Sequence, residues 1–165
     1  MFAAYFSSPF DLRGTAREFK MKRMSSTDQQ EAFPKVLRVG QTAYICVYAR
    51  SRWNDSDVDV VSGQAFAFSV PTGEEWTDWR RTCGADGYAS IWIRRCEFLR
   101  RVPEARWLQL IGTIGRSIKH PVIIGSRLAD FLPPYPGRLY LFANDVPWMY
   151  WNNRGMISVR ITRTK

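Results

Sequence analysis

Residues 137–162 read GRLYLFANDVPWMYWNNRGMISVRIT, and this stretch decides the fold. On its N-terminal side Leu139, Leu141 and Ala143 alternate with Tyr140 and Phe142. On its C-terminal side Ile157, Val159 and Ile161 alternate with Ser158, Arg160 and Thr162. A repeat of two marks a strand with one covered face, so the spacing predicts two strands joined as a hairpin. The joining loop carries Asn144, Asp145, Asn152 and Asn153, with Pro147 to stiffen it and Gly155 to release the chain into the second strand. Hard cations such as calcium are held by clustered oxygens of this kind.

Upstream, the same periodicity recurs in shorter pieces. The run Val36 to Ala49 is apolar on both phases after Gly40, as expected of a strand covered on both faces. Asp57 to Val61, the turn Ser62-Gly63 and then QAFAFSV, with Phe66, Phe68 and Val70 on one face, predict a hairpin. Pro71-Thr72-Gly73 closes it, and the aromatic and acidic loop EEWTDW follows. In residues 87–101, Tyr88, Ile91, Trp92, Cys96 and Leu99 fall near helical spacing and predict a short helix ended by Pro103, although Ile91 and Ile93 also alternate. WLQLIGTIG and PVIIG predict two short strands separated by the polar turn Arg116 to His120. Pro133, Pro134, Pro136 and Gly137 stiffen the entry to the decisive stretch. About seven or eight short strands with turn signals between them predict an all-β, jelly-roll-type β-sandwich.

A chain of 165 residues with 45% hydrophobic and 15% aromatic residues suits one domain with a substantial core. The boundary falls near Pro34. Residues 1–34 are polar and weakly periodic, end in MSSTDQQEAFP, and read as an N-terminal arm or linker, within which Met24 is a candidate internal start. Residues 35–165 read as the single sandwich domain. No run reaches the roughly 20 apolar residues of a membrane span, and Met1 to Phe10 lacks a secretory pattern. The default expectation is therefore a cytoplasmic protein, with release without a signal peptide as the other route. Cys46, Cys83 and Cys96 have no metal-type spacing and are expected to be buried thiols. The net charge of +9 invites an anionic partner, but the basic residues are scattered and no nucleic-acid motif accompanies them, so a solvated basic face is the expectation.

The segment NDVPWMYWNNRGMISVRI, preceded by LIGTIG and PVIIG, resembles the C-terminal half of the bacterial calcium-dependent galactophilic lectins of the PA-IL type, which are galactose-binding-domain-like β-sandwiches. The resemblance rests on Asn144-Asp145-Val146-Pro147, Tyr150 after the proline, the adjacent Asn152 and Asn153, and Gly155, in the same order and spacing. It covers about residues 107–162 well and residues 36–80 in outline. It implies that calcium is held through the side chains of Asp145, Asn152 and Asn153 and the Met149 carbonyl, with a further carbonyl near Thr77 to Trp79 that brings in Asp78. It also implies a sugar whose vicinal hydroxyls complete the shell beside Asn144, Val146, Trp148, Trp151 and Trp79. In residue chemistry alone, Asp145 and the Asn pair also suit a turn that binds nothing, with Trp148 and Trp151 in the core.

The chain departs from that family where a His-Pro-Asp-Gln-like segment lies over the sugar. The corresponding region here is CEFLRRVPEARW, and His120 is the one histidine. Galactose preference is therefore not carried over. No nucleophile–base order or phosphate loop is present, and Glu74, Glu75 and Asp78 lack an opposing carboxylate at a defined distance, so the chain reads as a non-enzyme. Asp55, Asp57 and Asp59 read as one solvated face. Two functions remain. One is a calcium-dependent carbohydrate-binding module, for which a homo-oligomer would add avidity. The other is a structural or protein-interaction β-sandwich without metal.

Overall fold

The computed structural model describes residues 36–91 and 94–165. The predicted N-terminal arm and the positions of Trp92 and Ile93 lie outside the described residues. Among the described residues ten strands, all paired antiparallel, build two sheets: β1 (Thr42–Tyr48), β2 (Asn54–Val60), β3 (Phe66–Ser69), β4 (Trp76–Asp78), β5 (Arg81–Cys83), β6 (Leu110–Ile114), β7 (Val122–Ile123), β8 (Arg127–Phe131), β9 (Gly137–Ala143) and β10 (Asn153–Arg163). The six-stranded sheet runs β5-β4-β10-β3-β8, with β1 on the other edge of β10, and the four-stranded sheet runs β2-β9-β6-β7. The all-β sandwich read from the sequence is the observed architecture. Among the described residues no helix is long and apolar enough to cross a membrane.

The two decisive runs are strands with the predicted phase, but they are not a hairpin. Leu139, Leu141 and Ala143 of β9 and Ile157, Val159 and Ile161 of β10 are all fully buried, and they face one another from different sheets. Residues 144–152 thus form an arch across the end of the sandwich. The core between the sheets adds Val47, Val58, Val60, Phe66, Phe68, Trp76, Leu110 and Ile114, and each fully buried Val, Leu, Ile or Phe contributes about 1.5–3 kcal/mol relative to exposure. Phe142 points outward from β9, where Val102, Ala105 and Ile111 cover it in a second cluster.

Period alone cannot say which strands are partners, and several expectations change for that reason. The segments 57–61 and 64–70 are not a hairpin, because β2 pairs with β9 and β3 pairs with β10 and β8. β1 is covered on one face, with Ala43 and Val47 buried and Tyr44, Cys46 and Tyr48 exposed. EEWTDW is not a loop throughout, since its end is strand β4. The expected helix is a short 3-10 turn over Arg94–Leu99. The cysteines are free thiols as read, yet Cys46 and Cys96 are exposed rather than buried. The two short strands expected in WLQLIGTIG and PVIIG are β6 and β7, and they pair with each other. Asp55, Asp57 and Asp59 gather round one guanidinium: Arg138 Nη1 lies 3.2 Å from Asp55 and 3.1 Å from Asp57, and its Nε lies 2.8 Å from Asp59.

Candidate functional site

The arch is held from both sides. The Asn144 side chain is completely buried. Its Oδ1 accepts the Val102 N–H at 3.0 Å, and its Nδ2 donates to the carbonyls of Val102 at 2.8 Å, Ala105 at 3.3 Å and Arg106 at 3.1 Å. This clamps residues 102–106 to the end of β9. Tyr150 folds back so that its hydroxyl donates to the Ala143 carbonyl at 2.7 Å and accepts from Arg101 Nη1 at 2.9 Å. The Arg101 guanidinium lies over the rings of Phe142 and Trp53, 3.6 and 4.0 Å from their centroids, a favourable cation–π position. Arg52 donates to the Pro147 carbonyl.

Within this frame sits a cluster of oxygens. Asp145 is buried. Its Oδ1 accepts the Val146 N–H at 2.7 Å and its Oδ2 accepts from Asn153 Nδ2 at 2.8 Å. The pairing of β10 with β4 sets Asn153 opposite Asp78. Asp78 accepts from Asn152 Nδ2 at 3.1 Å on one oxygen and from the Tyr88 hydroxyl at 2.5 Å on the other. Both amides therefore donate to carboxylates, and the Oδ1 atoms of Asn152 and Asn153 are left buried without a hydrogen-bond partner. Burial, reinforced by the charge of Asp78, pushes the Asp145 carboxyl from 3.8 up to about 6 against the opposing Val146 and Asn153 hydrogen bonds.

Buried acceptors without donors each cost about 1–3 kcal/mol, and a cation is the chemical complement of a cluster with acceptors to spare. The residues present fit a hard divalent ion by that criterion. Among the described residues no three of His, Cys, Asp and Glu gather as a metal group, so here the oxygens of two asparagine amides stand beside those of two aspartates.

Two tryptophans stand above this cluster. Trp79 occupies the two-residue turn between β4 and β5 with φ of 52°, and its ring meets that of Trp151 edge-on at 6.3 Å. Both are exposed. Together with Arg80, Asn152 and Arg154 they line an open recess of about 460 Å³. Flat apolar rings beside polar side chains suit the mixed surface of a pyranose, whose C–H face is apolar and whose rim is hydroxyl.

No family model matches the chain, and no curated protein matches it in sequence. In three dimensions it is similar to a solved structure described as "EclA N-terminal domain; PllA-like lectin", with a TM-score of 0.55. The two share a β-sandwich fold. The likeness covers 73% of this chain and 95% of that one, at 17% sequence identity, so it speaks to architecture and leaves the ligand to be argued from this chain's own residues.

Of the residues singled out in sequence, Asp145, Asn152, Asn153 and Asp78 meet at one place, and Trp79 and Trp151 line one recess. Met149 is at the edge of this group, its carbonyl accepting the Asn152 N–H at 3.1 Å. Asn144 is not a ligand-facing side chain, because every polar atom of its amide is engaged in clamping the arch, and Val146 is buried beside it. Trp148 is exposed but does not line the recess with Trp151, and neither of the two is core. His120 is an exposed residue against the Tyr135 ring. Sequence reasoning missed Tyr88, which it gave to a helix, and the recess arginines Arg80 and Arg154. A signal for Arg80 lay in EEWTDWRRT, once its middle is read as a tight turn between two strands.

Proposed function

We propose that the protein is a calcium-dependent carbohydrate-binding module of the PA-IL kind, without catalytic activity. One observation carries the reading: the buried, unpartnered Oδ1 atoms of Asn152 and Asn153 beside the carboxylates of Asp145 and Asp78. Asp145, Asn152, Asn153 and Asp78 would hold the ion, with the Met149 carbonyl in reach of the same loop. A bound calcium supplies open positions at which two sugar hydroxyls replace waters, a near-exchange of like ligands. Asn144 and Tyr150 of the arch, with Arg101 against them, keep the oxygens in place so that little ordering remains to be done on binding. Trp79 and Trp151 give the sugar an apolar wall.

The test is thermal unfolding with calcium and with chelator, for the native chain and for Asp145→Ala. An ion that binds only the folded state stabilises it by about 2.7 kcal/mol at a hundredfold excess over Kd, roughly 10 °C for a chain of this size. The expected result is a calcium-dependent rise that Asp145→Ala removes, followed by calcium-dependent retention on immobilised saccharide. An unchanged melting temperature at millimolar calcium would leave the metal-free interaction sandwich as the reading.

A further inference from the structure

The recess over the oxygen cluster is basic as well as aromatic. Arg80 sits at the tip of the β4–β5 turn and Arg154 follows Asn153 on β10, and both are exposed in the lining of the same recess as Trp79, Trp151 and Asn152. No carboxylate lines it. The acidic group closest to it by connectivity, Asp78, already accepts from Asn152 and from Tyr88. The neighbouring Arg81 is engaged differently, lying over the Tyr88 ring at 4.8 Å and donating to the Ala89 carbonyl. Among the described residues neither the Arg80 nor the Arg154 guanidinium has an ion pair or a hydrogen bond, in contrast to Arg138, which holds three aspartates on the other sheet. Two unneutralised forks thus flank two exposed indoles at the mouth of the site.

Guanidinium is planar and weakly hydrated, and it matches the oxygens of a carboxylate or sulfate with paired N–H groups. A neutral sugar leaves both charges without a counterpart. We infer that the recess selects an acidic saccharide, a pyranose bearing a carboxylate or sulfate, whose ring packs on Trp79 and Trp151 and whose anionic group is read by Arg80 and Arg154. This rests on the carbohydrate-binding reading and names its ligand class. It also gives part of the +9 charge a local purpose.

The experiment measures calorimetric affinity in calcium for galactose, galacturonic acid and galactose 6-sulfate, with the native chain and with Arg80→Gln/Arg154→Gln. The expected result is binding of at least one acidic sugar about tenfold tighter than galactose, as charge-assisted hydrogen bonds predict. That preference should fall with added salt, and the double substitution should erase it, leaving the acidic and neutral sugars with equal affinity. The carboxylate and sulfate arms then say which anion is preferred. Galactose bound as tightly as either acidic sugar overturns the inference and leaves the carbohydrate reading standing. So does an acidic preference that survives in the double variant, since the arginines are then not its source. Equal binding of duplex DNA in competition with the acidic sugar also overturns it. No binding of any sugar, with or without acid, overturns both readings together.

Discussion

Asn153 donates from Nδ2 to Asp145 Oδ2 at 2.8 Å while its own Oδ1 lies buried without a partner. The amide thus serves a negative charge with one end and keeps an unpaired acceptor inside the cluster with the other. Asp145→Asn removes the charge and keeps the shape. The substituted amide can still accept the Val146 N–H, and if the Asn153 amide turns over, its free Oδ1 meets the new donor. In chelator at neutral pH the variant should gain about 2 kcal/mol, consistent with relief of a raised carboxyl pKa. In calcium it should lose the ion-dependent rise. Denaturant unfolding in both conditions checks the pair of outcomes.

The same carboxyl sets a pH dependence. Its folded pKa is raised from 3.8 to about 6 by burial and by Asp78. Its proton therefore stabilises the folded chain fully below the unfolded value, and that contribution is lost as pH rises through about 6. In chelator, stability should rise by about 1–2 kcal/mol between pH 7 and pH 5. Below the ordinary aspartate value of 3.8 the trend should reverse as Asp55 takes up its proton. Burial pushes the Asp55 carboxyl up, but the Asp57 N–H and Arg138 hold it below its ordinary value, and stability present above that value disappears as pH falls through the lowered one. Asp145→Asn should flatten the upper limb and leave the lower one.

Trp79 has φ of 52°, in the left-handed region, at a turn position that favours glycine. A side chain held there costs roughly 1–2 kcal/mol, and a large ring kept at that cost in the recess points to use. Trp79→Gly relieves the strain but adds unfolded-state freedom worth about 0.5–1 kcal/mol. The melting temperature should stay within a few degrees of the native chain. Saccharide affinity should fall about fivefold, in line with the worth of an aromatic contact. A large loss of stability with unchanged binding would assign the ring to packing.

Asn144 gives the opposite pattern. Asn144→Ala leaves the Val102 N–H and carbonyl without their partner in the interior, at about 3 kcal/mol or more. That loss should be the same with calcium and with chelator, because the side chain fastens the arch and contacts no ligand. Equal unfolding shifts in the two conditions are the check, and an effect confined to calcium would return Asn144 to the site.

Gly155 has φ of +86°, and a Cβ there would lie 3.2 Å from Trp76 Cα and 3.3 Å from the Glu75 carbonyl. Gly155→Ala should therefore cost about 1–2 kcal/mol and weaken calcium binding, because the pairing of Gly155 with Trp76 fixes the register that sets Asn153 opposite Asp78.

The strands were legible because Ile157, Val159 and Ile161, or Leu139, Leu141 and Ala143, need nothing beyond alternation to declare a buried face. Their partners were not, because a residue's period says which way it points and not which edge it meets. β9 and β10 looked like a hairpin until their pairing with β6 and β1 set them in separate sheets. For the site, Asp145, Asn152 and Asn153 were visible as a local motif. Asp78 entered through the resemblance, and the Tyr88 hydroxyl not at all, since its role depends on the β4–β5 turn that carries the chain back past Asp78, ten residues away. Asn144 was misread for a complementary reason: a polar side chain in a polar loop looks available, and only the packed segment 102–106 shows it to be fully engaged.

One consequence follows from where the two aspartates are anchored. Asp78 belongs to a strand of one sheet, while Asp145 continues from a strand of the other and accepts the Arg101 N–H through its carbonyl. Like charges therefore oppose each other across the seam between the layers, and a positive charge seated between them would offset that repulsion and tie the two sheets together at this end. Occupancy at this one edge would then be transmitted to the whole barrier against unfolding, and the slowest-exchanging amides of β9 and β10 should report it from the far side of the core.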